Sequence, residues 1–163
     1  FLTILLLSIS SRAVEIAFFD VDNNGDVYLY TPKVLQKNDR ITVLSDDLNI
    51  DCCRVFYGRD FLKIDNSEQI SSDDDGKMVI RYKAVHIKKG NPLKLQQASA
   101  AVIGNIRLLS RGSDGFKLMA NTQRYEVETC YGTEGKNLYL KSQGKLIQHL
   151  YYYFNLDIVM DCK

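Results

Sequence analysis

The sharpest chemical pattern in the chain is Asp20-Val21-Asp22-Asn23-Asn24-Gly25-Asp26-Val27. Oxygen-bearing side chains at every second position, with a glycine for the bend, form the first half of a calcium loop. An EF-hand also needs a bidentate glutamate at its twelfth position, which here is Thr31, and it needs flanking helices. Val27-Tyr28-Leu29-Tyr30 reads instead as a strand. The segment is therefore expected to be a hairpin turn whose Asx side chains bond their own backbone. Calcium held in a β-hairpin loop over Asp20–Asp26 is the alternative.

Catalytic patterns are weaker. No Gly-x-Ser-x-Gly elbow is present, and Arg111-Gly112-Ser113-Asp114-Gly115 reads as a turn. No glycine-rich loop that would cradle a phosphate occurs. A thiol nucleophile would need Cys52 or Cys53 brought to His86 or His149 in space. Glu126, Glu128 and Glu134 are candidate paired carboxylates, but strand alternation puts Glu126 and Glu128 on one solvent face. The expectation is a protein that is not an enzyme and carries no cofactor or metal, with a small hydrolase as an alternative. Zinc lacks any CxxC or HxxxH spacing to hold it.

Four cysteines, Cys52, Cys53, Cys130 and Cys162, allow three pairings if the chain is exported. Cys130 and Cys162 bracket the tyrosine-rich C-terminal segment and are expected to pair. Cys52 and Cys53, as neighbours on a strand, would point to opposite faces, so a bond between them is not expected and one of them reads as a buried thiol.

These groups must be positioned by strands, because alternation dominates the sequence. Val14–Phe19 and Val27–Tyr30 flank Asp22–Gly25 as a hairpin. Cys52–Tyr57 and Met78–Ile87 read as strands, and Ala100–Leu109 as one strand kinked at Gly104. A meander follows: Tyr125–Cys130, Leu138–Lys141, Leu146–Phe154 and Leu156–Met160, with turns at Gly132–Gly135 and Gln143-Gly144. Leu93–Val102 reads as a possible helix, and Asp39–Asn49 is polar and ambiguous. The predicted fold is mainly β, or α+β if that helix forms. It is a single sandwich-like domain of antiparallel sheet over residues 14–163, with at most one or two short helices.

Length and charge bound the function. The 163 residues suit one domain, and no apolar run reaches the ~18–20 residues of a membrane-spanning helix. A formal charge of +1 argues against nucleic acid as the main partner. Phe1–Ile9 matches the apolar stretch of a secretory signal, and Ser11 and Ala13 match the small residues before a cut. Residues 1–13 are thus expected to be a signal remnant. Beyond it the charge divides. Val14–Ile80 holds 14 acidic and 7 basic residues, a net of −7, and Arg81–Lys163 holds 13 basic and 6 acidic, a net of +7. Asp73, Asp74 and Asp75 form the densest acidic run, in a turn before Gly76. In Tyr151-Tyr152-Tyr153-Phe154, alternation puts His149, Tyr151 and Tyr153 on one face and Leu150, Tyr152 and Phe154 on the other. Tyrosine suits recognition because it buries much area at little entropic cost. Asp73–Asp75, Tyr151 and Tyr153 are therefore the candidate partner-binding residues.

The tail Cys130-Tyr131-Gly132-Thr133-Glu134-Gly135, Leu138–Leu140, Tyr151–Phe154 and Asp157-Ile158-Val159 before Cys162, together with Cys52-Cys53, carries a resemblance. It resembles small exported proteins of Gram-negative bacteria, some of which look like immunity proteins against toxins delivered by type VI secretion. The resemblance implies a periplasmic protein that binds and neutralises such a toxin. It assigns no contact residues. With the signal remnant, the cysteines, the absent catalytic set and the divided charge, the expected function is to occlude the active site of a cognate toxin or enzyme. An exported calcium-stabilised structural or adhesive module is the alternative function.

Overall fold

The computed structural model describes residues 14–21, 24, 26–45, 52–71, 78–85, 98–112, 115–131 and 135–153. The chain forms β1 (Glu15–Val21), β2 (Val27–Thr31), β3 (Arg40–Ser45), β4 (Arg54–Tyr57), the single helical turn α1 (Gly58–Phe61), β5 (Lys63–Ser71), β6 (Met78–Lys83) and β7 (Ala98–Ile103). It continues as β8 (Arg107–Gly112), β9 (Gly115–Ala120), β10 (Gln123–Tyr131), β11 (Gly135–Ser142) and β12 (Lys145–Tyr153). The first seven strands make one sheet in the order β4-β3-β7-β1-β2-β6-β5, and the last five make a second in the order β12-β11-β10-β9-β8. The mainly β, antiparallel, sandwich-like architecture expected from alternation is the one observed. No described helix is long and apolar enough to cross a membrane.

The five-stranded sheet is an up-and-down meander because its turns are short and locally encoded. Asn121 and Thr122, with φ 50° and 66°, close β9 onto β10. Gln143 and Gly144, with φ 53° and 76°, close β11 onto β12 at the expected turn. Two consecutive left-handed residues match the right-handed twist of the flanking strands. The seven-stranded sheet relies on distant partners. β1 pairs with β2 through the expected hairpin, Val21↔Val27, but on its other side with β7, Ile16↔Val102.

Three expectations change here. Ala98–Val102 is not helical but belongs to β7, lying between β1 and β3. Its small residues Ala100 and Ala101 are wholly buried, so packing on both faces overrides the helix propensity of alanine. Ala100–Leu109 is not one kinked strand. The chain turns at Gly104, φ 139°, and passes from the first sheet to the second. The left-handed backbone there is open to glycine because it has no Cβ. Within the ambiguous segment 39–49, Arg40–Ser45 is strand β3, buried along almost its whole length.

Each sheet contributes to the core between them. Ile16, Phe18, Leu44 and Val102 from the first pack with Phe116, Leu118, Val127, Leu138, Leu140 and Leu150 from the second. Polar contacts among the described residues also tie the layers. Ile16 precedes the β1–β2 register, which begins at Phe18↔Tyr30, and its N–H donates to Gln148 Oε1 at 2.8 Å. Arg111 Nη1 donates to the Ser45 carbonyl at 3.3 Å. The opposite face of the first sheet, with Ala17, Leu29, Ile41, Val43 and Ile103, is closed by Leu35 and Phe61. Leu35 is pinned by its N–H donating to the Tyr82 hydroxyl at 3.0 Å, while that hydroxyl donates to the Lys33 carbonyl at 3.3 Å.

Glu15 sits at the rim of this closed face, in register with Ile103. Burial raises its carboxyl pKa above the ordinary 4.5, Lys33 lowers it, and Asp39 adds to the rise. Its Oε2 is buried with no hydrogen-bond partner. A carboxyl with a raised native pKa binds more protons folded than unfolded, so its contribution is lost as pH climbs through and beyond 4.5. Glu15→Gln is therefore expected to stabilise the protein at neutral pH, by roughly 0.5 kcal/mol once solvent screening of this half-exposed group is allowed for. It should also flatten the decline that sets in above about pH 4.5. Urea unfolding across that range measures both.

Candidate functional site

Among the described residues, one sheet face is left uncovered. Between the sheets the core is closed, and the far face of the first sheet is covered by Leu35 and Phe61. No described element covers the outer face of the five-stranded sheet. Leu138, Leu140 and Leu150 point inward, so alternation sends Asn137, Tyr139, Lys141, His149 and Tyr151 outward. Glu126 and Glu128 join them from β10, inward-facing Val127 lying between the two.

Register assembles these side chains into rows. Glu128 lies opposite Tyr139, and Tyr139 opposite His149. The Tyr139 and His149 rings stack with centroids 4.6 Å apart and planes 8° from parallel. A His149 ring nitrogen is 2.8 Å from Asn137 Oδ1, which fixes the ring against its neighbour row, Cys130–Asn137–Tyr151. Lys141 Nζ donates to Glu128 Oε2 at 2.9 Å and lies 5.7 Å from the Tyr139 ring centroid. The Glu128 hydrogen bond holds the Lys141 pKa above 10.5 against the opposing effect of burial, with the Glu128 and Glu126 charges adding to the rise. The ladder shifts register after Leu140 and sets Leu146 opposite Lys141. Leu146 and its neighbour Ile147 are left 55% and 49% exposed at this end of the sheet.

Beside the rows is a cavity of about 260 Å³, walled by Arg111 and Lys117 on one side and Glu126 and Glu128 on the other. Gly115, φ 126°, lines it, and a Cβ there would overlap the Val127 carbonyl oxygen. The face as a whole can form charged hydrogen bonds, stack on a planar group and bury apolar surface. Those are the chemistries of recognition.

Of the expected partner residues, Tyr151 is on this face and half-buried. Tyr153 ends β12, but its side chain and Asp73–Asp75 lie outside the described residues. So do residues 1–13, Glu134, His86 and Leu156–Met160. Tyr139, Lys141 and Asn137 were not singled out from sequence, although Leu138 and Leu140 between them carry the alternation that places them. Glu126 and Glu128 are on the solvent face, as expected, but Glu128 is taken up by Lys141.

The charge boundary along the chain does not coincide with the boundary between the sheets. Residues 14–103, which span the first sheet, carry 14 acidic and 12 basic groups, and residues 107–153 carry 4 acidic and 7 basic. The boundary at Arg81 falls inside the first sheet, where Arg81 lies over the Tyr28 ring and Lys83 pairs with Asp26 at 3.6 Å. That pairing engages one of the proposed calcium-loop carboxylates. Among the described residues no three metal-ligating side chains gather.

The cysteines need a correction. Cys52 and Cys53 are disulfide-bonded to each other across a cis peptide bond, and neither is a free thiol. Strand alternation does not oppose this bond, because the pair precedes β4, which begins at Arg54. Both pack against the inter-sheet core. With the two sulfurs joined, neither is a thiolate nucleophile. Cys130 is disulfide-bonded too, and Cys162, its expected partner, lies outside the described residues. No protein-family model, curated protein or solved structure matches the chain.

Proposed function

We propose that this chain is an exported binding protein, an immunity or inhibitor protein that docks the outer face of its five-stranded sheet onto a cognate toxin or enzyme and occludes its active site. The observation that carries the reading is the ordered row Glu128–Tyr139–His149, buttressed by Lys141 and Asn137 on a sheet face that no described element covers. Side chains held in fixed rotamers by their neighbours lose little entropy on binding. Stacked aromatics beside a charged pair are the residue types that dominate binding energy at interfaces. The resemblance to periplasmic immunity proteins supports a secreted antibacterial toxin as the partner.

Co-expression with the product of the neighbouring gene tests this. A complex should co-purify and the cells should be protected from that product. Tyr139→Ala combined with Lys141→Glu should weaken the complex by about a hundredfold or more, as expected for truncating a hot spot. No complex and no protection would sink the proposal.

A further inference from the structure

Three segments distant in sequence meet around a cavity of about 310 Å³. Its walls carry Asn38 from the β2–β3 connection, Asn105 from the crossover between sheets and Asn121 from the β9–β10 turn. All three are exposed. Arg40, the first residue of β3, also lines it, and its Nε is buried with no hydrogen-bond acceptor. The other two charged wall residues cancel, since Lys33 Nζ lies 3.7 Å from Asp39 Oδ2. Val14 and Ala120 supply a small apolar floor.

Each of these features asks for a particular partner. A guanidinium calls for a carboxylate, which its two terminal nitrogens meet with paired, charge-assisted hydrogen bonds. Carboxamides each offer a donor pair and an acceptor, the complement of a hydroxyl, which both gives and takes. An apolar floor without an aromatic ring suits the C–H face of a compact saturated ring. The volume admits a ligand of one or two such rings.

We propose that this cavity binds a small sugar acid, with its carboxylate on Arg40, its hydroxyls on Asn38, Asn105 and Asn121, and its ring against Val14 and Ala120. The site is separate from the outer face of the five-stranded sheet and does not depend on what that face binds.

Calorimetry and ligand-observed NMR with glucuronate, galacturonate and N-acetylneuraminate test it on the whole chain, with glucose and acetate as neutral and charge-only controls. At least one sugar acid should bind about tenfold or more tightly than either control, the discrimination expected of a charged hydrogen-bonded pair. Arg40→Gln should reduce its affinity to that of glucose, and Asn105→Ala should weaken it several-fold while leaving the melting temperature of the free protein unchanged. Because Arg40 is half-buried, Asn105→Ala and Asn38→Ala decide the matter if Arg40→Gln does not fold. Binding of none of the three acids, equal binding of acetate or glucose, or affinity untouched by the folded variants would overturn the proposal.

Discussion

Gly58→Ala is expected to destabilise the fold by about 3 kcal/mol or more, the range reached when a core is overpacked with no room to relax. Gly58 opens α1, and its N–H donates to the Asp39 carbonyl at 2.7 Å. A Cβ at this position would overlap the carbonyl oxygen of Gln36. That oxygen has no freedom to retreat, because it accepts the Asp39 N–H at 3.1 Å while Gln36 N–H donates to Asp39 Oδ2 at 2.7 Å. The whole turn from Gln36 to Asp39 must move instead. It is joined directly to Leu35, which closes one core face together with Phe61, the last residue of the same helical turn. One methyl group thus pries at both closing residues together. Denaturant unfolding measures the loss, and a variant within about 1 kcal/mol of wild type would show that the two segments do not approach this closely.

Local patterns carried the parts of the fold whose partners are local. The β1–β2 hairpin was legible because Asp22–Gly25 separates two apolar runs, and the last three strands because Gln143-Gly144 marks a turn between alternating segments. β3 was not legible, and β7 reads both as the start of a strand from Ala100 and as the end of a helix, for a shared reason. Both lie inside the seven-stranded sheet with neighbours on each side and burial on each face, so neither shows the polar-out alternation that betrays a half-buried strand. Ala98-Ser99-Ala100-Ala101 then reads as helix by composition, and only its place between β1 and β3 explains why small residues are wanted there. The Cys52–Cys53 bond was missed because the strand was expected to start two residues before it does.

The candidate face was half legible. Alternation put His149 and Tyr151 on one side of β12, and Glu126 and Glu128 on one side of β10. It could not say that Tyr139 would lie between Glu128 and His149, since that is a matter of register across two strand pairs. The cavity at Arg40 was not legible at all. Asn38, Asn105 and Asn121 are separated by 67 and 16 positions in the chain, and nothing in their immediate neighbours brings them together.

Two substitutions at adjacent positions of β12 separate the strand's structural side from its recognition side. Leu150 is 2% exposed and packs in the inter-sheet core, so Leu150→Ala is expected to cost about 2–5 kcal/mol, toward the lower end because β12 is an edge strand that can partly collapse into the void. His149 points the other way. His149→Ala gives up the stack on Tyr139 and the contact with Asn137, both at a half-buried position, and is expected to cost only about 0.5–1.5 kcal/mol. Partner affinity should show the reverse order. His149→Ala frees the Tyr139 ring to rotate and should weaken the complex by about tenfold or more, whereas any Leu150→Ala protein that remains folded keeps the face and should bind within about threefold of wild type. Unfolding curves and binding isotherms on the same two proteins give all four numbers. If His149→Ala lost stability on the scale of Leu150→Ala and left binding unchanged, the Tyr139–His149 stack would be a packing feature and the docking surface would have to lie elsewhere on the molecule.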